Sequence, residues 1–267
     1  KLRYSKGIGA FLNTIWHNSR FGLIQECSSG DDCVLHQTWN KANYRISKRM
    51  KLVHTVHDLT HERILGVKDH KRNVVNSADA IICVSHATKN DFVNYYNYDE
   101  SQVFVIHHGL SELSGKSCSE ALVRERPYLL YVGRRKSYKN FDRFWKVYIN
   151  TPRIWQNFDL VCFGGESISS STLEGWSDKF ESRVQFVGGS DAVLASYFKS
   201  ALAFVYPSLY EGFGLPLLEA MQAKCPVICS DIPCFREVAG DSAVFFDPND
   251  SQSIQAQILS LVNDLNF

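Results

Sequence analysis

From residue 51 onward the chain alternates short apolar runs with stretches of mixed polarity. The apolar runs are KLVHTV (51–56), AIICVS (80–85), QVFVIH (102–107), YLLYVG (128–133), FDLVCFG (158–164), VQFVG (184–188), LAFVYP (202–207), PVICS (226–230) and AVFFD (243–247). They are rich in β-branched and aromatic residues and nearly continuous in their apolarity. That pattern marks strands covered on both faces. Between them lie helix-like stretches such as HATKNDFVNYY (86–96) and SDAVLASYFKSA (190–201). Strands alternating with helices predict an α/β protein with parallel sheets.

One stretch breaks the rhythm. Residues 111–127, SELSGKSCSEALVRERP, are polar, serine-rich and end in proline. They read as a linker between two domains. The expected layout is an amino-terminal Rossmann-like domain over 1–112, a linker over 113–127 and a carboxyl-terminal Rossmann-like domain over 128–267, with a ligand cleft between two doubly wound sheets. KGIGAFLNTIW (6–16) looks like a glycine turn opening a helix, but no strand precedes it, so the signal is weak. Residues 1–50 supply fewer strands than a complete doubly wound half needs. The amino-terminal domain is therefore expected to be incomplete.

Composition narrows the function. The 267 residues carry a net charge of +1, which gives no global field for nucleic acid or for a membrane surface. No apolar run approaches the ~20 residues that span a bilayer, and KLRYSKGIGAF lacks the apolar core of a signal peptide. Eight cysteines are present without any C-x-x-C pair. Cys83, Cys162 and Cys229 sit inside apolar runs, as buried free thiols do. A zinc site or disulfide framework is disfavoured, and a reducing cytoplasm is expected.

The most informative segment is YPSLYEGFGLPLLE (206–219). It follows an apolar run and precedes LPLLEAMQAK, with Pro216 where a first helical residue would sit. It therefore reads strand, glycine turn, helix. Gly212 and Gly214 permit close approach of backbone to a ligand. The amino end of the helix favours an anion such as phosphate. Glu211 and Glu219 lie before and inside the helix, where carboxylates can accept hydrogen bonds from sugar hydroxyls. The plain alternative is a strand–helix connection with two solvated glutamates.

YVGRRKSYKN (131–140) is the second strong segment. Arg134 and Lys139 follow a strand end, where ligands bind in open α/β sheets, and their charges suit a diphosphate. Alone, the segment would read as a basic surface loop. HTVHDLTHE (54–62) holds three histidines. In a strand, His54 points away from the face shared by Thr55 and His57, which argues against a metal site and leaves His57 as the cleft candidate. His107 and His108 are expected to pack the hinge, and Ser85 to cap a helix. No Asp-x-Asp pair occurs anywhere in the chain. The charge of a diphosphate is therefore expected to be met by Arg, Lys and helix dipoles, with no metal and no other cofactor.

These segments resemble glycosyltransferase family four, the retaining GT-B enzymes. The resemblance runs over roughly residues 51–250, and the Glu-x7-Glu frame from Glu211 to Glu219 is intact. It implies that Glu211 binds hydroxyls of the donor sugar and that Glu219 holds the ribose. It assigns backbone N–H groups of Gly212, Phe213, Gly214 and Leu215 to the sugar and diphosphate, and places Gly188 near the base. Arg134 and Lys139 would clamp the leaving diphosphate, and His57 would face the reacting sugar. Arg135 and Lys136 receive no such role and are expected to tolerate alanine. Gly7 and Gly9 match the family's first glycine loop, although the strand before it is missing. The implied reaction is transfer of a hexose, with retention, from a nucleoside diphosphate sugar to a hydroxyl of a glycan or lipid-linked acceptor. Likeness to bacterial polysaccharide mannosyltransferases suggests mannose from GDP-mannose. Peripheral contact with the inner face of the cell membrane is compatible with such an acceptor. The rivals are a nucleotide-sugar 2-epimerase of the same fold and a fragment that binds nucleotide without catalysis.

Overall fold

The computed structural model describes residues 33–38, 50–68, 70–110, 125–135, 137–165 and 173–264. Gly7, Gly9, Lys136 and most of the expected linker lie outside them. The chain divides into two compact units. The first extends to residue 106, without residues 85–87. The second comprises those three residues and 107–267.

The first unit holds a four-stranded parallel sheet in the order β1 (Cys33–Gln37), β2 (Met50–Val56), β3 (Ala80–Cys83), β4 (Val103–Val105). Short helices α1 (Thr60–Arg63) and α2 (Arg72–Ser77) and the longer α3 (His86–Tyr96) connect the strands. Leu52, Val56, Ile81, Cys83, Phe92 and Val103 are buried. On α3, Thr88, Phe92 and Tyr96 are buried at intervals of four, the helical repeat that turns one face inward. A charged group lies inside this unit as well. Lys71 Nζ donates to both carboxylate oxygens of Glu62 at 2.9 Å, and Tyr96 Oη donates to Glu62 at 2.8 Å. Both charged side chains are fully buried. Such a pair is tolerated only because each partner is satisfied.

The second unit is a six-stranded parallel sheet: β5 (Tyr128–Val132), β6 (Asp159–Phe163), β7 (Val184–Val187), β8 (Ala203–Tyr206), β9 (Val227–Ser230) and β10 (Val244–Phe246), in the order β10-β9-β8-β5-β6-β7. The helices are α4 (Phe141–Asn150), α5 (Pro152–Trp155), α6 (Asp191–Ser200), α7 (Leu215–Gln222), α8 (Pro233–Ala239) and α9 (Ser251–Asp264). Strand β5 shows why its sequence is apolar throughout. Leu129 and Tyr131 pack with Phe144, Trp145 and Ile254, whereas Tyr128, Leu130 and Val132 pack with Phe198, Leu217 and Phe235. Helices cover both faces, so no position can be polar at low cost. Each of the nine apolar runs holds one strand. Strand β1 was not expected, because CVLHQ is short and half polar.

Candidate functional site

The strand order of the second unit reverses between β5 and β8. The chain runs from β5 to one edge through β6 and β7, then returns to lay β8 against the other side of β5. Loops leaving the carboxyl ends of β5 and β8 diverge there, and such a switch point is where open α/β sheets bind ligands. The two segments singled out in the sequence are these two loops.

They are joined. Leu209 N donates to Tyr138 O at 2.7 Å. Lys139 Nζ donates to Glu211 Oε1 at 2.6 Å, with the two side chains 17% and 12% exposed. The ammonium also lies 5.3 Å and 5.4 Å from the ring centres of Tyr138 and Tyr206. Tyr206 is buried and hydrogen-bonds to Glu211, and burial followed by the Glu211 charge pushes its phenol well above the ordinary range. The phenol therefore stays a donor to the carboxylate. Glu211 is thus held by one donor from the loop after β5 and one from the end of β8, leaving further acceptor capacity on the same carboxylate. Lys139, expected on a diphosphate, meets Glu211 in this structure.

The loop after β5 is held in an unusual form. Ser137, the first residue of a 3-10 turn over Ser137–Lys139, and Asn140, just after it, have φ of +57° and +56°. Left-handed backbone at non-glycine residues costs energy and persists where its surroundings fix it. Asn140 Nδ2 and Arg143 Nη1 both donate to Pro248 O, at 2.8 Å and 2.6 Å. Arg134 is exposed, but Arg135 is buried. Its Nη1 donates to Gly164 O at 2.6 Å and its guanidinium lies 5.1 Å from the ring centre of Phe186. The expectation that Arg135 tolerates alanine is therefore corrected: a side chain enclosed and bonded in this way is part of the framework.

The loop after β8 leads into α7 through Gly214, at φ +94°. A Cβ at Gly214 would stand 2.8 Å from Phe235 Cε1, so this glycine is needed for packing as well as for conformation. Pro216 is the second residue of α7, one place later than expected, because Leu215 opens the helix. Phe213 is buried, its ring 5.6 Å and 5.3 Å from those of His107 and His108. Glu219, on α7, is half-buried, and burial followed by the Asp191 charge raises its carboxyl above the usual range. Gly188, after β7, is exposed with open space where a side chain would go.

Residues 85–87 of the second unit also serve the glycine turn. Ser85 Oγ donates to Gly212 O at 2.6 Å. The amides of His86 and Ala87 donate to Glu237 at 2.7 Å and 3.1 Å, and His107 Nε2 shares Glu237 Oε1 at 2.7 Å. Ser85 stands just before the helix, as expected of a cap; its hydroxyl proton goes to the turn, and Glu237 accepts from the first two helical amides. Neither Ser85, Glu237 nor Tyr206 was picked out as a partner of the site. The available signal was Tyr206 inside an apolar run, since a buried tyrosine hydroxyl needs a partner.

In the first unit, His57 is half-buried just beyond β2, with Nε2 2.9 Å from Thr38 O. A carbonyl partner requires the proton on Nε2, leaving Nδ1 as the acceptor in the neutral ring. His54 is fully buried, and neither ring nitrogen has a hydrogen-bond partner among the described residues. His61 is exposed and stacks on His70 at 4.2 Å.

Residues 116–266 match the family described as Glycosyl transferases group 1, and residues 29–112 match Glycosyltransferase Family 4. Over 251 residues the chain is 28% identical to an O-antigen chain mannosyltransferase B of Escherichia coli, covering 83% of this chain and 64% of that protein. Over 185 residues it is 31% identical to an O-antigen chain mannosyltransferase of Salmonella typhimurium, covering 68% of this chain and 50% of that protein. The chain thus spans about half to two thirds of the length of these relatives. Among solved structures, a sucrose-phosphate synthase from Thermosynechococcus elongatus superposes with a TM-score of 0.74 at 20% identity, covering 98% of this chain and 72% of that one. The likeness is one of fold, two parallel α/β units of the GT-B class; among the described residues the second sheet reverses its strand order, whereas the first runs in sequence order, because only the second lays a later strand on the far side of its first.

Proposed function

The chain belongs to the glycosyl transferases group 1, and from that premise we propose that it moves a hexose from a nucleoside diphosphate sugar to an acceptor hydroxyl, with retention. The observation that supports this most is the meeting of Lys139 and Glu211 at the switch point between β5 and β8. A cation and an acceptor on linked loops fit a ligand that carries both phosphate and hydroxyls. In this reading Glu211 accepts from donor-sugar hydroxyls and Glu219 from the ribose. The backbone of residues 212–215 and the start of α7 receive phosphate oxygens. As the glycosidic bond breaks, negative charge grows on the diphosphate, and Arg134 and Lys139 stabilise it there. No metal is required, since the cations and the helix end supply the charge. The acceptor attacks the face the diphosphate leaves, and His57 is assigned to the transfer step. The names of the mannosyltransferase relatives favour mannose, and we take GDP-mannose as donor, a polysaccharide or lipid-linked glycan as acceptor and the cytoplasm as the compartment.

A thermal-shift panel of UDP, GDP, ADP and their sugars, run in EDTA, tests this. One nucleoside diphosphate and its sugar should raise Tm, because a ligand at 100 times its Kd stabilises by about 2.7 kcal/mol. Absence of any shift, or a shift that appears only when manganese replaces the chelator, would refute the reading.

A further inference from the structure

We propose that Arg135 is a positioning residue of the donor site, which holds the loop carrying Arg134 against the turn that follows β6. The inference rests on the donor-site reading above.

Three observations converge on the tie. Arg135 is 5% exposed, although its neighbour Arg134 is exposed. Its Nη1 donates to Gly164 O at 2.6 Å, with the guanidinium over Phe186 of β7. Gly165 has φ of +72°, and a Cβ there would stand 2.6 Å from Gly133 O and 3.2 Å from Arg134 Cα. The two loops therefore touch backbone to backbone, in a space that admits no side chain at Gly165. Gly133 N donates to Phe163 O at 3.0 Å, and Gly164 N to Val187 O at 2.8 Å. The ends of β5, β6 and β7 form one hydrogen-bonded ledge, and the Arg135 side chain spans it.

The chemistry explains why an arginine stands here. A guanidinium is a planar fork whose donors have fixed directions. Its bond to the Gly164 carbonyl and its place over the Phe186 ring fix the backbone that bears it. Holding Arg135 inward sets the place of Arg134, the next residue back along the chain. A cation that is to meet developing charge must be held in place before the reaction, since movement then costs rate. The tie therefore acts on the phosphate that Arg134 meets, and leaves binding of the rest of the nucleotide alone.

Calorimetry on the full chain separates these outcomes, with GDP, GMP, UDP and UMP as probes. Arg135→Leu removes the fork. Gly165→Ala leaves both arginines in place and pushes the loops apart through a backbone clash. Each variant is expected to weaken the diphosphate about ten-fold, as loss of a bond from a charged donor does, and to leave the monophosphate within about two-fold. Arg134→Ala placed on Arg135→Leu should add little, because residues acting as one unit are not additive. Should Arg135→Leu fold poorly, Arg135→Lys carries the same measurement. A parent that binds, with Arg135→Leu and Gly165→Ala binding the diphosphate as well as it does, overturns this inference alone. So does an equal loss of diphosphate and monophosphate. A parent that binds none of these probes, and neither ADP nor AMP, overturns the donor-site reading itself.

Discussion

An ammonium and a carboxylate 2.6 Å apart cannot be altered one at a time. Removing Lys139 takes a cation from the proposed diphosphate site and leaves the Glu211 carboxylate with one donor fewer. Removing the charge of Glu211 frees the ammonium to swing toward its two tyrosine rings. Assigning Lys139 to phosphate and Glu211 to sugar separates two roles that the geometry couples. Loss of one fixed donor at a developing charge typically costs ~10²–10³ in rate. Lys139→Ala is expected to show that loss in kcat with a smaller loss in donor affinity. Glu211→Gln combined with Lys139→Ala should be less damaging than the product of the two single effects. The double-mutant cycle on steady-state turnover checks this, and strict additivity would mean the pair parts before the chemistry begins.

At the scale of elements, the turn from β8 into α7 depends on Gly214. Its φ of +94° is one that other residues adopt only with strain, and Phe235 fills the space where a Cβ would go. Gly214→Ala should therefore destabilise the fold by about 1–3 kcal/mol from backbone strain alone. Chemical denaturation should show the lower midpoint, and a midpoint equal to the parent's would show that the turn can rearrange. The strands of this sheet were legible because both of their faces are buried, so the apolar runs are continuous. The glycine–carboxylate turn was legible because glycine, proline and glutamate each bring a local constraint. Strand β1 was not, because its polar residues hide the pattern. Nor was the division of labour between Arg134 and Arg135. Two adjacent arginines look alike until a carbonyl 29 positions later, on Gly164, takes one of them. The bond from Leu209 N to Tyr138 O is equally invisible in sequence, since it joins loops brought together only by the strand order.

At the scale of the whole molecule, the two units carry different vulnerabilities. The second presents its proposed ligand groups at loop ends, whereas the first buries an imidazole in its sheet. His54 is pushed down to about 4, first by burial and then by the neighbouring charges of His57, Lys71 and His36. In the unfolded chain the same ring titrates near 6.5. Above pH 6.5 both states are neutral and the folded state bears no penalty. Between pH 6.5 and 4 the unfolded chain takes a proton that the folded chain refuses, so stability falls as pH falls. The loss by pH 4 is about 3 kcal/mol, at 1.36 kcal/mol for each pH unit between the two values. His54→Leu removes both the proton acceptor and the two buried ring nitrogens. Its stability relative to the parent should therefore rise steadily as pH drops through that window, beyond any fixed difference seen at pH 7.5. Urea unfolding at matched pH values measures the gap, and hydrogen exchange assigns it to residues 50–56 and 80–83. A nucleoside diphosphate bound at neutral pH should instead slow exchange in residues 133–140 and 207–219. A gap that stays constant from pH 7.5 to 4 would mean that the His54 ring is reached by water and titrates like an ordinary imidazole.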